Sequence, residues 1–168
     1  LLSIRRQRQM CIRDSWYLQR RLSRGKEDYL RFDERKGFGN ILRPHGPLIW
    51  IHGASIGESI TILPLIEMLR RDHPEVNIMI TTGTVTSAKL LEDRLPGGVI
   101  HQYVPVDRKS YVCRFLDRWA PDLVLWIESE FWPNLITLSN ERQIPQVLLN
   151  GRMSPESFSS WRYLRGLI

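Results

Sequence analysis

The chain has 168 residues, with 24 Lys+Arg, 18 Asp+Glu, two cysteines and 42% hydrophobic residues, which makes one domain of ordinary size. Folding at this length buries about 70% of the unfolded surface, so the core needs no disulfide or metal. Cys11 and Cys113 form neither a disulfide framework nor a zinc spacing. Six Trp and 25% charged residues exclude a disordered chain, and no apolar run approaches the ~18–20 residues that span a bilayer.

The net charge of +6 is concentrated at one end: residues 1–43 carry +7 and residues 44–168 carry −1. A nucleic-acid reader carries its basic patch on the folded body, so no nucleic-acid partner is expected. Residues 1–15, with the stretch Arg5-Arg-Gln-Arg-Gln-Met-Cys-Ile-Arg13, have no helical or strand period and no capping logic. They resemble a translated sequencing-adapter artefact and read as a non-native leader.

Residues 16–46 form a basic, amphipathic, membrane-proximal segment. Trp16, Tyr17, Leu18, Leu22, Tyr29 and Leu30 lie at helix-compatible spacings, with Arg20, Arg21, Arg24 and Lys26 between them. A basic helix flanked by Trp and Tyr suits a membrane surface. Its charge of +4 over residues 16–43 supplies a few kcal/mol at most, at up to ~1 kcal/mol per basic residue near anionic lipid. The alternative is a solvated helix leading into the domain.

From residue 47 onward the pattern alternates. Strands are expected over 48–52, 76–82, 99–104, 122–127 and 146–150, and helices over 58–71, 84–95, 108–119 and 132–142. Pro64 stands against the first turns of the first helix, because it removes an N–H that an interior position needs. Five strand–helix units make an α/β domain: a parallel sheet with helices on both faces. Ligands in such sheets bind at the carboxyl ends of the strands.

The first strand runs into Gly53-Ala-Ser-Ile-Gly-Glu58. Gly53-x-Ser55-x-Gly57 spells a nucleophile elbow in a strand–turn–helix setting, which makes a serine hydrolase using Ser55 one alternative. Against it, the elbow follows the first strand, and His73 and His101 lie in ordinary helix-end and strand contexts. No Gly-Lys-Ser/Thr follows, which excludes a P-loop. The third reading is a small-residue turn that lets a ligand approach backbone N–H groups at a helix start, with Glu58 in the first turn; a carboxylate there also simply favours the helix dipole.

Glu128 follows five apolar residues at another strand end, in Ile127-Glu-Ser-Glu-Phe-Trp-Pro-Asn134. Glu128 and Glu130 alternate and would point the same way on an extended backbone. The structural alternative makes them caps for the helix opening near Trp132-Pro133. Thr81-Thr-Gly-Thr-Val-Thr-Ser87, including Thr82 and Thr84, offers hydroxyls for sugar or phosphate oxygens or for helix capping. Asn150-Gly-Arg152 places a cation at a further strand end, able to hold a carboxylate or phosphate.

Together these four motifs, in this order, resemble the N-terminal half of the 3-deoxy-D-manno-octulosonic acid (Kdo) transferases. Glu34-Arg-Lys-Gly-Phe38 extends the resemblance upstream of the first strand. The resemblance implies a Rossmann-like acceptor domain over residues 47–168, one half of a GT-B glycosyltransferase whose C-terminal donor domain is missing here. It implies transfer of Kdo from CMP-Kdo to a hydroxyl of the lipid A precursor (lipid IVA), at the cytoplasmic face of the bacterial inner membrane. Glu58 carries over as general base and Glu128 as transition-state stabiliser. Ser55, Gly57, Thr82, Thr84, Glu130, Asn150 and Arg152 are weaker substrate-binding candidates. No cofactor is implied: the donor brings its own phosphate, and no His/Asp cluster suggests a metal. Ser129 stands where the family commonly has Thr, and Gly151 where it has Ala. The chain reads as a truncated gene product that folds but transfers no Kdo alone. A non-catalytic lipid- or sugar-binding module is the further rival.

Overall fold

Short apolar segments that are hydrophobic on both sides need cover on both faces, and a parallel sheet flanked by helices supplies it. The computed structural model of this chain describes residues 16–53, 56–128 and 132–151. Its strands are β1 (Leu48–His52), β2 (Asn77–Thr82), β3 (Ile100–Tyr103), β4 (Leu123–Ile127) and β5 (Gln146–Leu149). They form one five-stranded sheet in the order β3-β2-β1-β4-β5, parallel throughout. All five lie within a residue or two of the segments expected from hydrophobic patterning.

The helices are α1 (residues 16–23), α2 (Ile56–Thr61), α3 (Leu63–Asp72), α4 (Val85–Glu92), α5 (Lys109–Trp119) and α6 (Pro133–Glu141). The alternation of β1 splits the core in two. Leu48 and Trp50 join Val112, Phe115, Trp119 and Leu135 on the α5/α6 face. Ile51 joins Ile62, Ile66, Ile80 and Leu91 on the other. The buried indoles keep their N–H groups bonded, as buried Trp requires: Trp119 to Gln102 and Trp126 to Gln146, each at 2.9 Å.

Two elements differ from expectation. The helix read as continuous over 58–71 is broken at Ile62 into α2 and α3, and Pro64 sits in the first turn of α3. There its missing N–H costs nothing, because the first-turn donors have no partner inside the helix. In the N-terminal segment helix covers only residues 16–23, because Gly25 takes a left-handed φ of 66° and its N–H closes onto Leu22 O. Tyr29 and Leu30 therefore lie beyond the helix, exposed to solvent.

A 3-10 turn (Phe32–Lys36) follows and fastens this segment to the sheet. Glu34 accepts from the Tyr103 backbone N–H at 2.7 Å and takes both forks of Arg31 at 2.8 and 2.9 Å. Arg35 bonds the Val104 carbonyl and pairs with Glu27, which also holds Arg21. Gly37 has φ 83°, and a β-carbon there would run into the Tyr111 carbonyl. The Glu-Arg-x-Gly-Phe stretch is thus a docking element against β3 and α5, and Leu18 of α1 is buried with it.

Candidate functional site

Chain order sets the location of the site before any side chain does. The chain builds β1, β2 and β3 in one direction, then crosses back to lay β4 on the free side of β1. The crevice between diverging crossovers, at the carboxyl ends of β1 and β4, is where ligands bind in such sheets. Glu58 lies on α2, the helix entered directly from β1, and Glu128 is the first residue past β4. The two predicted carboxylates therefore belong to adjacent strand ends at the switch point.

Glu128 has φ 59°, the left-handed region that side chains other than glycine seldom take. Such a conformation costs about 1–3 kcal/mol and persists where surrounding structure enforces it, often at functional sites. Here the Glu128 N–H donates to Leu149 O at 2.9 Å, which ties the end of β4 to β5. Asn150, at the end of β5, is left-handed as well, with φ 52°.

The capping alternative for Glu128 is answered by a residue that the sequence reading passed over. Asp107 accepts from the backbone N–H groups of Asn134 and Leu135 at 3.0 and 2.9 Å. It is thus the side chain on the first turn of α6, reached across 27 residues of sequence, a separation that local capping patterns do not reveal. Glu128 is half-buried, and its carboxylate pairs with no described residue.

The hydroxyls of the Thr-rich turn divide by role. Thr84 caps α4, its Oγ1 accepting from Ser87 N at 3.1 Å. Thr82 is wholly buried, its hydroxyl 3.0 Å from His101 Nε2. Gly57 is exposed on α2. Ser55, Glu130 and Arg152 lie outside the described residues, as do residues 1–15. Among the described residues no group of three or more His, Cys, Asp or Glu could hold a metal ion, and no helix is long and apolar enough to cross a membrane.

Sequence reasoning also passed over His52, the last residue of β1. It is wholly buried, with Nδ1 2.9 Å from Thr81 Oγ1. Burial drives its pKa down to about 4, with a further push from the Arg35 guanidinium. Burial drives His101 down to about 3, helped by Arg31. Both are neutral in the folded protein at pH 5, whereas an unfolded histidine takes up a proton below about 6.5. The unfolded state then binds more protons, so stability is full above about pH 6.5 and declines as pH falls toward 3–4. Denaturant titrations at pH 7 and pH 5 should differ by about 2 kcal/mol for each histidine, at ~1.4 kcal/mol per pH unit; equal midpoints would contradict this account of the two rings.

Comparison with known proteins agrees with this geometry. Residues 30–168 match the family model described as "3-Deoxy-D-manno-octulosonic-acid transferase (kdotransferase)". The chain is 42% identical to the 3-deoxy-D-manno-octulosonic acid transferase of Rickettsia bellii, covering 87% of this chain and 35% of that protein. It is 39% identical to the probable mitochondrial enzyme of that name in Arabidopsis thaliana, covering 86% of this chain and 32% of the relative. The Haemophilus influenzae enzyme is 39% identical over 76% of this chain and 30% of its own length. The chain spans about a third of the length of these relatives.

Proposed function

The chain belongs to the 3-deoxy-D-manno-octulosonic acid transferase family, and from that premise we propose that it forms the acceptor-side half of an enzyme transferring Kdo from CMP-Kdo to a hydroxyl of lipid IVA. The observation that carries the reading is the pairing of the Glu58 and Glu128 loops on adjacent strand ends at the switch point. The acceptor hydroxyl attacks the anomeric carbon of Kdo, its proton passes to the Glu58 carboxylate, and CMP leaves with the electron pair of the broken bond. General-base assistance contributes about 10²–10⁴ in rate. Charge at the anomeric centre becomes positive as the bond to CMP lengthens, and Glu128 supplies a fixed negative counterpart. The left-handed backbone of Glu128 supports a functional reading, as does the capping of α6 by Asp107. The donor-binding groups belong to a C-terminal domain. Asn150, at the end of β5, and Arg152 hold anionic or hydroxyl groups of the substrates.

The hydrolase alternative needs a histidine as base for Ser55. Its two sequence candidates are otherwise engaged: His101 is buried against Thr82, and His73 lies at the end of α3 beside Glu75. Exposing the full-length protein to a fluorophosphonate probe should leave Ser55 unlabelled. Stoichiometric labelling of Ser55 would overturn the transferase reading in favour of the hydrolase.

The N-terminal segment serves the membrane side of the same function. With Arg21, Arg31 and Arg35 held in ion pairs, the exposed cations of its first part are Arg20, Arg24 and Lys26. Trp16 and Tyr17 lie exposed beside them, and Tyr29, Leu30 and Leu42 are more than three-quarters exposed. Replacing Arg20, Arg24 and Lys26 together by Ala removes about 1 kcal/mol each on an anionic surface. That weakens binding of the full-length protein to vesicles containing acidic phospholipid by about 100-fold. Unchanged co-sedimentation would remove this segment from the membrane contact.

A further inference from the structure

The two carboxylates account for the meeting of two loops but not for the histidine buried at the end of β1. Trp50 Nε1–H donates to Thr81 Oγ1 at 2.8 Å, and His52 Nδ1 lies 2.9 Å from the same oxygen. If the Thr81 proton goes to Nδ1, the neutral imidazole carries its hydrogen on Nε2, and one buried group lacks a partner. The opposite tautomer leaves two: the Thr81 hydroxyl proton and the Nε2 lone pair. The network therefore selects the Nε2–H form. That Nε2 is wholly buried and bonds to nothing in the free domain, a state that native proteins keep for a reason.

The complementary group stands close by in the topology. His52 pairs in register with Trp126, and Glu128 lies two residues beyond. The ring meets Trp126 and Trp132 edge-on at 5.8 and 6.2 Å, so its neighbours bracket Glu128 in sequence. An unpartnered donor and an unpartnered carboxylate thus sit at the ends of adjacent strands.

We propose that His52 is a positioning residue, whose Nε2–H donates to the Glu128 carboxylate in the substrate-loaded enzyme and fixes it for the transition state. The proposal rests on the reading of Glu128 given above. His52 has to stay neutral to act in this way. The residues packed on the ring from β2, β4 and the start of α6 are Thr81, Trp126 and Trp132, which carry no charge, and the charged group whose field reaches it is Arg35.

The test compares His52→Gln, His52→Asn and His52→Phe in the full-length protein, with Glu128→Gln as control and thermal melts to establish folding. Gln places an amide N–H near the Nε2 position, whereas Asn offers an acceptor to Thr81 but no donor to Glu128. Loss of positioning costs about 100-fold in kcat. That loss is expected for Asn and Phe with KM little changed, and Gln should recover most of it.

Recovery by Asn rather than Gln, or full activity in the Asn and Phe variants, would overturn the proposal and leave His52 a packing residue. Full activity in Glu128→Gln would instead overturn the reading of Glu128 itself. Should the His52 variants fail to fold, ¹⁵N-histidine spectra of the unsubstituted protein decide the matter. The Nε2–H resonance should move downfield on addition of CMP-Kdo and lipid IVA, and should not move in Glu128→Ala, which has no side-chain acceptor; no movement in either protein overturns the proposal.

Discussion

Glu58→Gln in the full-length protein is expected to lower Kdo transfer by about 10²–10⁴-fold, the range general-base assistance supplies, with the thermal midpoint unchanged. The substitution keeps the shape and hydrogen-bonding capacity of the side chain and removes only its ability to accept a proton. Glu58 stands on α2, entered directly from β1. Because β1 is the middle strand of the sheet and β4 lies against it, the segment that leaves β1 toward α2 starts beside the strand end that carries Glu128. Ser55→Ala should be the milder change, since in this reading the hydroxyl assists substrate binding. A reversed ranking, with Ser55→Ala inactive and Glu58→Gln active, would contradict the assignment of the base.

The largest effect on stability is expected from Glu34→Ala, at about 2–3 kcal/mol, the cost of leaving a buried backbone donor without its charged acceptor. Glu34 is buried and satisfies three donors at once: the Tyr103 backbone N–H and two guanidinium nitrogens of Arg31. Its loss leaves the backbone donor of β3 without a partner and frees the 3-10 turn that fastens the N-terminal segment. For a protein of this size, about 2–3 kcal/mol lowers Tm by about 8 °C. Asp33→Ala is the matched control, because Asp33 meets Lys36 in an exposed pair worth at most ~1 kcal/mol. Calorimetry showing equal losses for Glu34→Ala and Asp33→Ala would contradict the docking role of the turn.

The strands were legible because burial on both faces writes itself into short apolar runs, as in Leu123-Val-Leu-Trp-Ile127. Their carboxyl ends, and with them the positions of Glu58 and Glu128, followed from chain direction alone. What patterning missed are features fixed by distant partners. Glu27, Glu34 and Arg35 fall within the segment read as basic and amphipathic, but they are buried in pairs and bonds that reach 69 residues along the chain. Asp107 caps a helix 27 residues away. His52 read as the end of an apolar strand, because nothing in its neighbours signals the hydroxyl of Thr81, which the sheet register brings beside it. Pro64 did carry a local signal of the break at Ile62, and its position in the first turn of α3 is the geometry that Pro tolerates.

The measurement that bears most directly on the central claim is the mass spectrum of lipid IVA after incubation with CMP-Kdo and the full-length protein carrying this segment. The account predicts lipid IVA heavier by one or more Kdo residues, CMP released in equal number, and no product from Glu58→Gln under the same conditions. Unmodified lipid IVA from a folded, CMP-Kdo-binding protein, or equal product from Glu58→Gln, would contradict it.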